Sequence, residues 1–168
     1  GIGLPLLETC YYPLQSAEVV TGVLRKRWDK LPASTMDGLR RYNSQVILTD
    51  TAFWQLFKFD FLDGAPFAPA AFMSGIREAV VNESVARTLF GTVQATGKEM
   101  KLDFTVFRIC GVVKDVSRFA NKAWAEVWLP YTTDPGYRQG WCEGINGNFQ
   151  CYALLKEGKN REDLRREA

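Results

Sequence analysis

The residues able to do chemistry in this chain are four cysteines and a scatter of carboxylates, because it contains no histidine. Without histidine, no side chain titrates near neutral pH in its unperturbed state, and the commonest metal ligand is missing. Serine and cysteine hydrolase triads built on His are excluded, as are most zinc enzymes. No metal or cofactor is expected. The cysteines fall at positions 10, 110, 142 and 151 and form no CxxC pair. Neither a zinc ribbon nor a thioredoxin-like motif is supported. Two-carboxylate chemistry of the glycosidase type stays open, with Asp60, Asp63, Glu78, Asp103 and Asp115 as candidates. Their places at loops and strand ends are those of solvated carboxylates. No residue is assigned a catalytic role.

The segment "GTVQATGK", residues 91–98, invites comparison with a phosphate loop. Such a loop needs G-x-x-x-x-G-K-[ST] between a strand and a helix. Here five residues separate the glycines, and Glu99 stands where the magnesium-binding hydroxyl should be. The segment also lies between a helix and a strand, so the phosphate reading is rejected. Asn82-Glu83-Ser84 is formally a glycosylation sequon, and the start of a helix explains it.

Cys142 and Cys151 flank "EGINGNFQ". Asn146-Gly147 is a strong two-residue hairpin signal, because both turn residues must take positive φ. Counting outward from that turn pairs Ile145 with Asn148, Gly144 with Phe149, Glu143 with Gln150 and Cys142 with Cys151. The cysteines then face each other at a non-hydrogen-bonded position, where side chains lie closer. That spacing suits a disulfide. A cross-strand Cys142–Cys151 bridge would imply an oxidising compartment such as the periplasm, and could add roughly 2–3 kcal/mol if unstrained. Two reduced thiols in the same hairpin are the competing reading. Cys110, in the apolar run "VFRICGVV", reads as a small core residue. Cys10 has no assigned role.

The elements around these residues are short. "AEVVTGVLRKRW" and "RRYNSQVILTD" read as two strands able to pair, and Asp50 or Thr51 offers a helix cap. Phe53, Leu56, Phe57 and Phe61 then fall at i, i+3, i+4 and i+8, which predicts a short helix ended by Asp63-Gly64. "EAVVN" reads as a buried strand. Asn82 caps the next helix, whose apolar arc is Val85, Ala86, Leu89 and Phe90, and Gly91 stops it. "KEMKLD" and "TVFRICGVVKDV" read as strands joined through Asp103-Phe104. "AEVWLPY" is another strand, closed by a turn at Asp134-Pro135-Gly136. "FQCYALLKEG" continues the cysteine hairpin, and a helix starts near Asn160. The mixture fits an α+β class better than a regular βαβ repeat.

Composition sets the outer limits. The 168 residues are 46% hydrophobic and 24% charged, with 21 basic against 19 acidic side chains and a net charge of +2. An ordinary folded domain, or two small subdomains sharing a core, is expected. The charge balance argues against a nucleic-acid binder. Arg25-Lys26-Arg27, Arg40-Arg41 and Arg165-Arg166 read as solvated faces. No run approaches the ~18 apolar residues of a spanning helix, and no signal peptide is visible. The start without methionine and the stop inside "NREDLRREA" make an excised domain of a longer protein the expectation.

Five segments occur in one order: "VILTDTAFWQLFKFDFLDGAPF", "EAVVNESVARTLFG", "GKEMKLD", "FRICGVVKDVSRF" and "AEVWLPYTT". Together they resemble the MacB-like periplasmic core domain of ABC transporter permeases of the MacB and FtsX-like superfamily. The resemblance covers roughly residues 46–133, with weaker agreement in "CYALLKEGKNREDLRREA". It implies a domain between two membrane helices, projecting from the cytoplasmic membrane of a bacterium into the periplasm. It also implies two subdomains: a discontinuous porter-like α/β part from residues 1–45 and 134–168, and a Sabre-like insert from residues 46–133. The implied function is mechanical, with no enzyme activity in this chain. A cytoplasmic ATP-binding subunit hydrolyses ATP, and the permease, paired with a second protomer, carries the change to a periplasmic substrate or adaptor. The rival is a free-standing secreted module for carbohydrate or peptide, using Trp124, Trp128 or Trp141.

The cysteine pairing is directly testable. Mass spectrometry of the unreduced protein is expected to show residues 142 and 151 in one linked species; two free thiols there would end the idea.

Overall fold

Several apolar runs of this chain do not alternate with polar residues, because the strands they form are covered on both faces. A computed structural model describes residues 7–25, 30–119, 123–138 and 149–167. The described strands are β1 (Ala17–Leu24), β2 (Leu31–Ser34), β3 (Arg41–Ser44), β4 (Val46–Thr49), β5 (Phe61–Gly64), β6 (Glu78–Asn82), β7 (Glu99–Leu102), β8 (Thr105–Val113), β9 (Val127–Pro130) and β10 (Phe149–Leu155). The described α-helices are α1 (Phe53–Leu56), α2 (Pro69–Ser74), α3 (Glu83–Phe90) and α4 (Arg161–Glu167). All ten strands join one mixed sheet in the order β10-β1-β4-β9-β6-β8-β7-β2-β3, with β5 pairing β8 off this path. The α+β class expected from the sequence is the class observed.

Adjacent residues point to opposite faces of this sheet. Leu24, Leu48, Val81, Val112 and Val127 enter one core cluster, which takes in Val85, Ala86 and Leu89 of α3. Their neighbours Val23, Ile47, Val80, Val113 and Trp128 enter another, built around Phe53 and Trp54 of α1 and Phe67. The five central runs are therefore buried twice over.

One connection fixes the shape of the sheet. Gln45 alone separates β3 from β4, yet these strands stand ninth and third in the pairing order. A flat sheet would hold them several strand spacings apart, each about 4.8 Å. The sheet must therefore curl until its β2–β3 end returns beside β4. The sequence reading took "RRYNSQVILTD" as one strand; the break at Gln45 turns it into two, on opposite sides of the seam. β4 pairs β1 as expected, with Val23 opposite Thr49 and Leu24 opposite Leu48.

The expected helix over residues 53–61 is corrected. α1 ends at Leu56, and Phe57 starts an extended segment leading into β5. "FKFDF" alternates with period 2, so Phe57, Phe59 and Phe61 share a face as they would on a strand. That face packs on α1: Phe59 lies 5.6 Å from Trp54 and 5.2 Å from Trp128, and Phe61 lies 5.6 Å from Trp54, all edge-on. The helical spacing arose because Phe57 and Phe61 belong to both patterns. Asp63 and Gly64 consequently lie within β5.

Other local expectations hold. Asn82 Oδ1 accepts from Val85 N at 3.0 Å, and Gly91 closes α3 with φ +72°. β7 and β8 pair tightly, with Leu102 opposite Thr105, and Asp103 turns between them at φ +57°. Asn160 caps α4 by accepting from Glu162 N and Asp163 N, while Asp163 Oδ2 accepts from Asn160 N. This is a reciprocal cap of the kind that satisfies orphan helix donors. The Asn146-Gly147 turn lies outside the described residues. The described partner of β10 is β1, which places Cys151 opposite Gly22.

Gly64 marks where β5 meets β8. Its φ is +62°, and a Cβ there would lie 2.1 Å from the Cys110 carbonyl oxygen. Gly64→Ala is expected to cost about 2–4 kcal/mol, combining left-handed strain with a backbone clash. The urea unfolding midpoint measures it, and a loss below about 0.5 kcal/mol, the level of an ordinary surface change, would show that the approach is not fixed.

Candidate functional site

The carboxylates considered for catalysis are dispersed. Asp63 accepts from Thr96 N at 3.0 Å, tying β5 to the loop after α3. Asp115 accepts from Ser84 N at 3.1 Å and from the Ser84 hydroxyl, fixing the first turn of α3. Asp60 and Asp103 are exposed, and Glu78 is half-buried beside the Cys110 thiol. No metal-binding group of three acids or cysteines occurs among the described residues. Among the tryptophans, Trp128 is wholly buried and donates to Ala123 O at 3.3 Å, so it is not an exposed binding aromatic. Trp124 is half-buried, and Trp141 lies outside the described residues.

Cys142 also lies outside the described residues. Cys151 is half-buried on β10, and burial raises its thiol to about 11. Cys110 is half-buried and donates to Ala79 O at 3.4 Å. Burial first, then the Glu78 charge, raises it to about 12. A thiol held that high is a poor nucleophile at neutral pH. Cys10 sits in a π-helical turn at Leu7–Tyr11.

Two buried acids organise the molecule instead. Asp50, at the end of β4, accepts from Tyr12 Oη at 2.5 Å, Thr21 Oγ1 at 2.5 Å, Gly22 N at 2.9 Å and Phe53 N at 3.1 Å. The Tyr12 proton is committed to Asp50, so Tyr131 donates to Tyr12 across their 3.0 Å contact. Burial pushes the Asp50 carboxyl above its ordinary value, against four hydrogen bonds that favour the ionised form. Burial, and then the Asp50 charge, also pushes Tyr12 far up. The sequence offered Asp50 or Thr51 as the cap of α1; the N-cap position is instead held by Ala52, and Asp50 reaches the helix only through the Phe53 N–H. The sequence did not reveal the donors arriving from residues 12, 21 and 22.

Glu126 is the second acid, and the sequence reading passed over it. It accepts from the Tyr42 hydroxyl and from Gln45 N at 3.0 Å. Its backbone N–H donates to Gln45 O at 2.9 Å, and its carbonyl accepts from Asn82 N at 2.9 Å. Burial and the Glu126 bond raise Tyr42 to about 12. Glu126 thus clasps the seam of the curled sheet. A signal was present: a lone carboxylate between Ala125 and Val127 in an apolar run must be paired if it is buried.

Against the curl opens a cleft of about 470 Å³. Leu31, Val46, Leu48, Leu102, Phe107 and Leu129 wall it, drawn from β2, β4, β7, β8 and β9. Its rim carries Arg77 and Asp103. A second, more open depression of about 630 Å³ shares Arg77, Thr133, Asp134 and Pro135 with the first, and adds Thr132 and Tyr137. The two form one bipartite recess at one end of the sheet.

An α+β sheet closed by a one-residue link, with no catalytic cluster among its described residues, matches a known family. The family profile of the MacB-like periplasmic core domain matches residues 9–168. The chain belongs to that family. The MacB-like match extends well beyond residues 46–133, where the sequence resemblance was strongest. Among solved structures, the chain is similar to the periplasmic region of MacB from Actinobacillus actinomycetemcomitans, with TM-score 0.76, 14% identity, and coverage of 99% of this chain and 70% of that one. It is also similar to the extracellular domain of the noncanonic ABC-type transporter YknZ from Gram-positive bacteria, with TM-score 0.68, 15% identity, and coverage of 91% and 73%. A domain from Porphyromonas gingivalis assigned to a permease gives TM-score 0.73, 19% identity, and coverage of 99% and 76%. No curated protein matches. By its family the chain is a MacB-like periplasmic core domain. No described helix of it is long and apolar enough to cross a membrane.

The Asp50 node makes a pH prediction. A carboxyl raised in the folded state holds its proton more tightly folded than unfolded. That contribution is fully present below the ordinary value of 3.8 and is lost as pH rises through the raised folded value. Asp50→Asn cannot titrate. The stability of the natural chain relative to D50N should therefore fall as pH rises from 3.8, read from urea unfolding at a series of pH values. A difference that does not change with pH would show that Asp50 titrates alike in both states.

Proposed function

We propose that this MacB-like domain transmits an ATP-driven change from the membrane to a periplasmic substrate or partner by moving as one body. The observation that carries the reading is the clasp between the two ends of the described chain. Glu167 Oε2, on α4, accepts from Gln15 N at 2.7 Å and from Ser16 N at 3.2 Å. In a permease these ends lead toward the membrane helices. A displacement delivered at either end reaches β1 and β10, which pair along seven positions, and through them the whole sheet. Rigid-body motion of a packed domain is an established way to relay such a change.

In this reading, a separate ATP-binding subunit hydrolyses nucleotide in the cytoplasm. The permease sits in the bacterial inner membrane with a second protomer, and an adaptor or substrate meets the periplasmic face. Residues 46–133 would act as the Sabre-like insert, and residues 1–45 with 134–168 as the porter-like part. The free-standing binding module is not favoured, because Trp128, one of its three aromatics, lies in the core.

Spin labels in the full-length permease with its ATPase test the proposal. One pair sits within the domain, at the exposed positions Leu39 and Met73; another joins Leu39 to the membrane part. ATP is expected to change the second distance and leave the first constant. An unchanged second distance overturns transmission, and a changed first distance overturns motion as one body.

A further inference from the structure

The N-terminal segment meets the sheet before its own strand begins. Residues 7–11 form one π-helical turn, and Tyr12 N donates back to Leu7 O at 3.0 Å. β1 starts only at Ala17. Yet Leu7 lies on Gly22, and Tyr12 bonds Asp50, the acid that Thr21 and Gly22 also bond. The segment therefore doubles back over β1 as a strap.

Two contacts seat the strap, and they converge on Gly22 and Asp50. Leu7 is fully buried, and a Cβ on Gly22 would stand 2.4 Å from its Cδ2. Glycine weakens a strand interior and often marks a place of close approach; here Leu7 takes the room. Gly22 N donates to Asp50 Oδ2 at 2.9 Å, and Gly22 O accepts the Thr49 hydroxyl at 2.8 Å. The second contact is Tyr12 Oη to the same Asp50 oxygen, at 2.5 Å. A hydrogen bond to a carboxylate is about twice as strong as a neutral one, and Asp50 is shut away from competing water. Tyr131, just after β9, reaches Tyr12 at 3.0 Å and packs edge-on against Phe72 of α2 at 4.9 Å and Phe149 of β10 at 5.3 Å. One hydroxyl on the strap is thus tied to β1, β4, β9 and β10.

We infer that Tyr12 and Asp50 are the joint through which displacement of the N-terminal segment enters the sheet, an inference that rests on the transmission reading. Without the joint, that displacement travels along residues 13–16 to the first residue of β1. With it, the load passes from Tyr12 to Asp50 and is shared at once between β1 and β4. Both are positioning residues, because they hold strap and sheet in one geometry. Glu167, by accepting from Gln15 N and Ser16 N, fixes the point where the strap folds back.

The full permease with its ATPase tests the joint, with nitroxide residues at two exposed positions: Glu8, on the strap, and Leu39, between β2 and β3. ATP is expected to change the distance from Leu39 to the membrane part and to leave Glu8–Leu39 constant. Two variants separate the joint from ordinary stabilisation. Tyr12→Phe keeps the ring and removes the strap's bond to Asp50, whereas Thr21→Val removes another bond to Asp50 and leaves the strap attached. In Tyr12→Phe the ATP-driven change at Leu39 is expected to fall by half or more, and Glu8–Leu39 is expected to change with ATP. Thr21→Val is expected to match the natural chain in both. A Glu8–Leu39 distance that changes with ATP in the natural sequence overturns the joint with no variant needed. So does Tyr12→Phe behaving as the natural chain does, or Thr21→Val losing as much as Tyr12→Phe. In each of these cases Leu39 still moves against the membrane part in the natural chain, and the transmission reading stands. A Leu39–membrane distance that ATP leaves unchanged there overturns both.

Discussion

A single residue, Gln45, has to bridge two strands that the hydrogen-bonding order places at opposite sides of a curled sheet. The link is too short to span a flat sheet, so the curl is obligatory once β3 and β4 are both formed. Glu126 holds that curl shut, by its carboxylate to Tyr42 and Gln45 and by its backbone to Gln45 and Asn82. Removing one partner from a buried charged group is far costlier than never having buried it, because the remaining charge is stranded. The clasp therefore fixes the join between β3, β4, β6 and β9.

Asp50 plays the corresponding part on the other side of β4. Four donors from the chain's first strand, its N-terminal segment and α1 converge on one carboxylate, and Tyr131 joins through Tyr12. These bonds tie residues far apart in sequence. Polar groups buried this way are tolerated because each finds its partners, and such networks make the arrangement unique where apolar packing alone would allow alternatives. Between the two nodes, β4 is apolar on both faces, with an aromatic cluster on one side and the core under α3 on the other. A domain so braced is suited to pass on displacement without absorbing it.

The recess and the braces answer different demands. Bracing requires the sheet to be filled on both faces, and most of it is. The cleft beside residues 133–136 opens at the end of the sheet where Arg77 and Asp103 border an apolar floor.

Much of the local structure could be read from the chain alone. Asn82 and Gly91 bounded their helix, Asp103-Phe104 joined β7 to β8, and Asn160 started α4, because caps and turns are set by a residue's own backbone preferences and its neighbours within four positions. The family was legible for a related reason: its markers are those same joints in a fixed order. What failed was anything requiring knowledge of distant partners. Phe57 and Phe61 satisfied a helical spacing and an alternating one equally, and the packing of Phe59 and Phe61 against Trp54 and Trp128 chose the strand. "RRYNSQVILTD" carried no sign of a break, since Gln45 is unremarkable until β2 pairs β7 and draws β3 across the sheet. Glu126 was only a charge in an apolar run until Tyr42 arrived from 84 residues away. Local sequence thus determined where elements begin and end. Only the tertiary structure decided the curl and its two acid clasps, because each depends on contacts between residues that share no local signal.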